Sequence, residues 1–243
     1  MIVPNGAVNT PKQLSIDHGT SKIYFCELHF TIMYNERFWL STTIGDREGQ
    51  RVHRCNFDGS VHEIIFQSGD YERDGFEDQT KWCVGIALDT AQGKFYWTQK
   101  GASKAGQGRI FRAGIQTPVG ETPSSRTDIE LVFDHLPEPI DMEFDMQSKT
   151  LFWTDRGEYP FGNTLNKANV GSNGDKKPVT LARHFHEAIG MRIDAINHHI
   201  YVTDLGGAVY RFNMDGSDKL RIIDSDYTFT GIAINYVHDL REL

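Results

Sequence analysis

No stretch of about eighteen consecutive apolar residues occurs in this chain, so it holds no segment able to cross a bilayer as a helix. A basic excess is missing too. Lysine and arginine number 25 against 33 acidic residues, a net charge of −8, and no Lys/Arg stripe is present, which argues against a nucleic-acid-binding surface. Cysteine is scarce. Cys26, Cys55 and Cys83 are odd in number and lack the spacing of a zinc site or a thioredoxin-like pair. The opening residues, Met1 to Gly6, have neither the basic start nor the apolar core of a signal peptide. The chain contains no Gly-x-Ser-x-Gly elbow, no phosphate loop and no Gly-x-Gly-x-x-Gly fingerprint, so nothing in it binds a nicotinamide cofactor in a recognisable way.

What the chain does contain is a repeat. Asp17, Asp89, Asp145 and Asp194 are each followed, seven residues on, by an aromatic-rich motif: Tyr24-Phe25-Cys26, Tyr96-Trp97-Thr98-Gln99, Phe152-Trp153-Thr154-Asp155 and Tyr201-Val202-Thr203-Asp204. One and three residues before each aspartate stand apolar side chains: Leu14/Ile16, Ile86/Leu88, Met142/Phe144 and Met191/Ile193. The positions between them are mostly small or polar. Period two over five residues predicts a strand with two different faces. Each aspartate then predicts a turn, as do the Asp-Gly pairs that close later alternating runs, Asp58-Gly59 and Asp215-Gly216. Third and fourth apolar runs complete each unit. Four short antiparallel strands in a unit of roughly 40 to 55 residues describe the blade of a β-propeller. The units read as 9–79, 80–139, 140–188 and 189–230, with a fifth beginning at Gly231-Ile232-Ala233-Ile234-Asn235 and a partial copy over 231–243.

Tyr96-Trp97-Thr98, Phe152-Trp153-Thr154-Asp155 and Asn213-Met214-Asp215-Gly216-Ser217 resemble the YWTD repeat, the class B module of low-density-lipoprotein receptors. The resemblance implies an all-β, six-bladed propeller. It also implies structural roles for Asp155, Asp204, Trp97 and Trp153, the acids fixing backbone amides and the rings filling the space between blades. Extracellular relatives of that fold adjoin disulfide-rich modules, which this chain lacks, so the expected setting is reducing and cytoplasmic.

Two features depart from a complete ring. The first unit reads smoothly if Cys26 joins Asp46, which makes residues 27–45 an insertion: either a projecting loop or hairpin, or a retained intron. Exposing Phe30, Ile32, Met33, Tyr34, Phe38, Trp39 and Leu40 on a loop argues for the second. Four units and a beginning do not make six blades. The expectation is therefore a longer native N-terminus, with self-association or a small partner closing an open ring as the alternative.

Propeller ligands sit where the innermost strands begin, at the mouth of the central channel. Gln13, Lys81, Trp82, Glu138, Asp141, His186 and Glu187 are expected there. The expected function is that of a soluble, non-catalytic binding or scaffold propeller, with Gln13, Lys81, Trp82 and Asp141 as candidates for holding a small-molecule or protein ligand. Glu138, Asp141, Glu187 and His186 are candidates for acid–base chemistry, should the chain be a lyase, cyclase or hydrolase like other six-bladed propellers of the same fold. No resident cofactor is expected, although acids around a channel can hold a divalent cation through oxygen. His184/His186 and His198-His199 read as surface histidines. Glu143 and Arg192 stand at the same level in consecutive units, on a strand face otherwise small, and are expected to pair between blades. The loops Gly101 to Arg109 and Gly157 to Asn163 are expected to form a rim on one face.

Overall fold

The computed structural model describes residues 10–28, 51–68, 78–171 and 176–235. Among the described residues, sixteen strands form four separate four-stranded antiparallel sheets. The first sheet holds β1 (Thr10–Asp17), β2 (Lys22–Leu28), β3 (Arg51–Asn56) and β4 (Glu63–Gln67). The second holds β5 (Cys83–Asp89), β6 (Lys94–Gln99), β7 (Gly108–Gly114) and β8 (Glu130–Leu136). The third holds β9 (Pro139–Asp145), β10 (Thr150–Asp155), β11 (Thr164–Asn169) and β12 (Val179–Arg183). The fourth holds β13 (Ala188–Asp194), β14 (His199–Asp204), β15 (Ala208–Asn213) and β16 (Leu220–Asp224). Strands pair in chain order within each sheet, and the first strand of each packs on the first strand of the next: β1 on β5, β5 on β9, β9 on β13. That is a propeller-like arrangement with β1, β5, β9 and β13 innermost.

The repeated aspartates close the first turn of every blade. Asp17 accepts from the amides of Gly19 and Thr20, Asp89 from Gln92, Asp145 from Gln147 and Ser148, and Asp194 from Ile196 and Asn197. The motif threonines do a second job. At the start of each innermost strand the pairing with its neighbour slips, at Cys83/Ile86, Trp153/Asp155 and Ala188/Met191, as it does at a β-bulge. The backbone amide released there is taken by the threonine hydroxyl: Gly85 N–H by Thr98, Asp141 N–H by Thr154, Gly190 N–H by Thr203. Thr98 and Thr154 then donate to the next blade, to the carbonyls of Ile140 and Ile189. Thr203 instead turns back to the carbonyl of its own Gly190.

Gly85 shows how closely the innermost strands approach, since a Cβ there would lie 2.1 Å from the Ile140 carbonyl oxygen. Among the described residues, three apolar clusters fill the spaces between blades. Tyr24, Cys26, Val52 and Phe66 meet Ile86, Leu88, Phe95 and Trp97. Tyr96, Ile110 and Phe133 meet Met142, Leu151 and Trp153. Phe152 and Leu165 meet Phe185, Met191, Val202 and Phe212. Trp97 and Trp153 are thus core residues, as are the buried thiols of Cys26, Cys55 and Cys83, none of which is in a disulfide. Burial pushes the Cys83 thiol up to about 12. Leu14 and Ile16, each 44% exposed, occupy the positions that are buried as Ile86 and Leu88 in the second blade.

Two expectations need correcting. Glu27 and Leu28, placed in the insertion, belong to β2, where they pair with Pro11 and Thr10; residues 29–45 lie outside the described residues. The alternating pattern at Gly231 to Asn235 forms no strand among the described residues.

Candidate functional site

The residues expected at the channel mouth gather mainly through one buried carboxylate. Glu138, just before β9, has no solvent exposure. Its Oε1 meets Lys100 Nζ at 3.1 Å and Arg156 Nε at 2.9 Å; its Oε2 accepts from the Lys104 amide at 3.0 Å and the Ser103 hydroxyl at 3.4 Å. Lys100 is itself buried and lies 5.3 Å from the centre of the Trp82 ring. Glu138 therefore ties the loop after β6 to the loop after β10, and its hydrogen-bonding capacity is spent on that tie.

Asp141 is equally committed. It is buried in β9, with Oδ1 accepting from the Met142 amide at 2.8 Å and Oδ2 from the Met191 amide of the next blade at 2.9 Å. Burial raises its pKa to about 6. Asp155, at the end of β10, accepts from the amides of Glu138 and Gly157, and burial raises it to about 7. Asp204 repeats the arrangement with the amides of His186 and Ala208. Beside Asp141, Arg192 pairs with Glu143 across the third and fourth blades, and Arg192 Nη2 reaches the Leu14 carbonyl at 3.3 Å. One cation thus joins the first, third and fourth blades.

Solvent-facing groups form the rim. Lys104 Nζ lies 2.8 Å from Glu158 and 4.0 Å from Glu187, and Arg156 Nη1 lies 3.8 Å from Glu187. The two rim loops therefore do meet on one face. His186 is exposed and sits beside Glu187, whose backbone is held at a φ of 59°. Lys81 lies in a short 3₁₀ turn (Gln79–Lys81), 3.7 Å from Asp78. Gln13, half-buried in β1, makes no hydrogen bond to this network. His184 stacks against Tyr159 outside any strand, and His198-His199 mark the turn into β14. Among the described residues no cluster of three or more His, Cys, Asp or Glu is placed to hold a metal ion, and no helix is long and apolar enough to cross a membrane.

Sequence reasoning did not find the groove beside this rim. A cavity of about 450 Å³ opens between the second and third blades. Its lining includes Trp153, Leu136 and Pro137, the polar residues Asn166 and Thr180, and the rim residues Lys104, Glu158, Tyr159 and Phe161. Tyr159 and Phe161 are 73% and 75% exposed. The signal that was available is Tyr159-Pro160-Phe161, two large aromatic rings in a loop between glycines. That loop is pinned: the Gly162 amide donates to Glu158 at 2.7 Å, and Asn163 Nδ2 donates to Gly157 at 3.1 Å.

No family model matches the chain. Over 244 residues, 96% of its length, it is 44% identical to 3-hydroxyacyl-CoA dehydrogenase-like protein LAM1 of Cochliobolus heterostrophus, and it spans 47% of that protein. Over 243 residues, again 96% of its length, it is 40% identical to a Pyricularia oryzae protein named low-density lipoprotein receptor-related protein 1, of which it spans 71%. The chain thus covers about half of the first relative and about seven-tenths of the second. A solved structure of a luciferin-regenerating enzyme superposes with a TM-score of 0.58 at 11% identity, over 93% of this chain and 80% of that one, a likeness of fold alone.

Proposed function

The chain belongs to the family represented by the Pyricularia oryzae low-density lipoprotein receptor-related protein 1, and from that premise we propose that it is a non-catalytic binding propeller of the YWTD type, recognising a small ligand at its rim. The observation that carries this reading is the state of Glu138 and Asp141. Both are buried, and both are bound to cations or backbone amides that hold the blades together. A general acid or base must reach its substrate within hydrogen-bond distance, and these two are already occupied. The groups left facing solvent are those of the rim loops: Lys104, Glu158, His186 and Glu187. Three unpaired, buried cysteines support a reducing, cytoplasmic setting.

A catalytic reading is favoured by one feature. Asp155 borders the groove, and burial raises it to about 7, the range of an acid–base group. The Cochliobolus relative is named for a dehydrogenase, but this chain carries no dinucleotide fingerprint to go with that name. The two readings separate in one experiment. A panel of lactones, esters and planar alcohols is incubated with the full chain, following thermal midpoint and, by mass spectrometry, conversion. The binding reading expects at least one compound to raise the midpoint without being converted, and the rise to disappear in a Lys104→Ala/Glu187→Ala variant. Conversion that vanishes in Asp155→Asn would overturn it.

A further inference from the structure

The ligand class follows from how the groove is lined, given that the rim is the recognition face. We propose that the groove between the second and third blades binds an uncharged, planar, oxygen-bearing organic molecule. Its volume, about 450 Å³, lies within the range that holds a drug-sized ligand. Two exposed rings, Tyr159 and Phe161, stand over it on a pinned loop, so stacking area is offered at little cost in ordering.

The exposed charges at its edge, Lys104 and Glu158, are matched to each other. Lys104 is paired with Glu158 at 2.8 Å, so an anionic or cationic ligand would have to displace an existing partner. Below the rim, Asn166 supplies the polar contact. Its Oδ1 accepts from Thr180 at 3.0 Å and one Nδ2 hydrogen goes to Thr164 at 2.8 Å, which leaves the second Nδ2 hydrogen for a carbonyl or ether oxygen. A ligand with rings for Phe161 and one acceptor for Asn166 matches the aromatic and the amide contact that the groove offers.

The test uses three probes on the full chain: flavone, which is planar, neutral and carries a carbonyl; phenanthrene, planar without oxygen; and naphthalene-2-sulfonate, planar and anionic. Affinities are read by calorimetry for the natural chain, Phe161→Ala and Asn166→Ala. Phe161 is mostly exposed, so its truncation leaves the core intact, and circular dichroism checks both variants. Flavone is expected to bind one-to-one, about tenfold more weakly to each variant, a factor typical of losing one stacked ring or one buried hydrogen bond. Phenanthrene should lose affinity only in Phe161→Ala. Tighter binding of the sulfonate than of flavone, with the same Phe161 dependence, would overturn the neutral class while the rim reading stands. Binding of all three unchanged in both variants and in Lys104→Ala would overturn the groove and the rim together.

Discussion

Arg192 and Glu143 form the ion pair at the axis, and its removal gives the sharpest test of how the blades are held. Both side chains are about three-quarters buried, at 22% and 25% exposure, so solvent screens the pair only partly. Replacing Arg192 by Met keeps the aliphatic packing and deletes two interactions. One is the charge-assisted bond to Glu143, worth about 1.5–3 kcal/mol, and the other is the bond to the Leu14 carbonyl, worth about 1 kcal/mol. The single variant should therefore lose about 3 kcal/mol of unfolding free energy, and Glu143→Leu somewhat less. In Arg192→Met/Glu143→Leu the shared term is counted once, so the loss should fall short of the sum by about 1–3 kcal/mol. Urea titration read by the fluorescence of the buried tryptophans, Trp97 and Trp153, measures all four chains. Additivity within about 0.5 kcal/mol would refute the coupling, and with it the claim that this cation joins blades.

Two further outcomes concern the same inner ring. Thr154→Val, isosteric and fully buried, strands the Asp141 amide and the Ile189 carbonyl and should cost about 2–4 kcal/mol in the urea assay. Thr203→Val, whose hydroxyl serves only the neighbouring strand of its own blade, should cost about half as much, and equal losses would contradict the bridging role. Burial raises Asp141 to about 6, so its protonated form is favoured in the folded chain. The stability this contributes is full below pH 4 and is lost as pH rises through 6, at about 1.4 kcal/mol per unit of displacement. Asp141→Asn keeps one acceptor for the two amides and so starts less stable than the natural chain, but its deficit should shrink by up to about 3 kcal/mol as pH rises from 4 to 7, and a difference independent of pH would refute this.

The parts legible in the sequence were those written locally. Alternation at Ile86/Leu88 or Met142/Phe144 needs only neighbouring residues to declare a two-faced strand, and each repeated aspartate caps a turn three residues long or less. The pairing of Glu143 with Arg192 was legible because the repeat puts them at one level in adjacent copies. The fate of Glu138 was not, because its partners come from Lys100, Ser103 and Lys104 on one loop and Arg156 on another, and no period relates them. The bridging threonines were in plain register at 98, 154 and 203, but the need for a hydroxyl shows only once the strand slip frees an amide. Gly231 to Asn235 illustrates the converse: a pattern specifies a strand's faces and leaves the partner strand to the rest of the fold.

The claim that the buried acids of the mouth are structural and the exposed rim is free is tested most directly by the unfolding free energy of Glu138→Gln beside that of Glu187→Gln. Glu138 is fully buried between Lys100 and Arg156, whereas Glu187 is over a third exposed and 3.8–4.0 Å from its cations. The account predicts a loss of about 2–4 kcal/mol for the first and under about 0.5 kcal/mol for the second. A Glu138→Gln chain as stable as the natural one would contradict it, since a carboxylate removable without cost is one left free for chemistry.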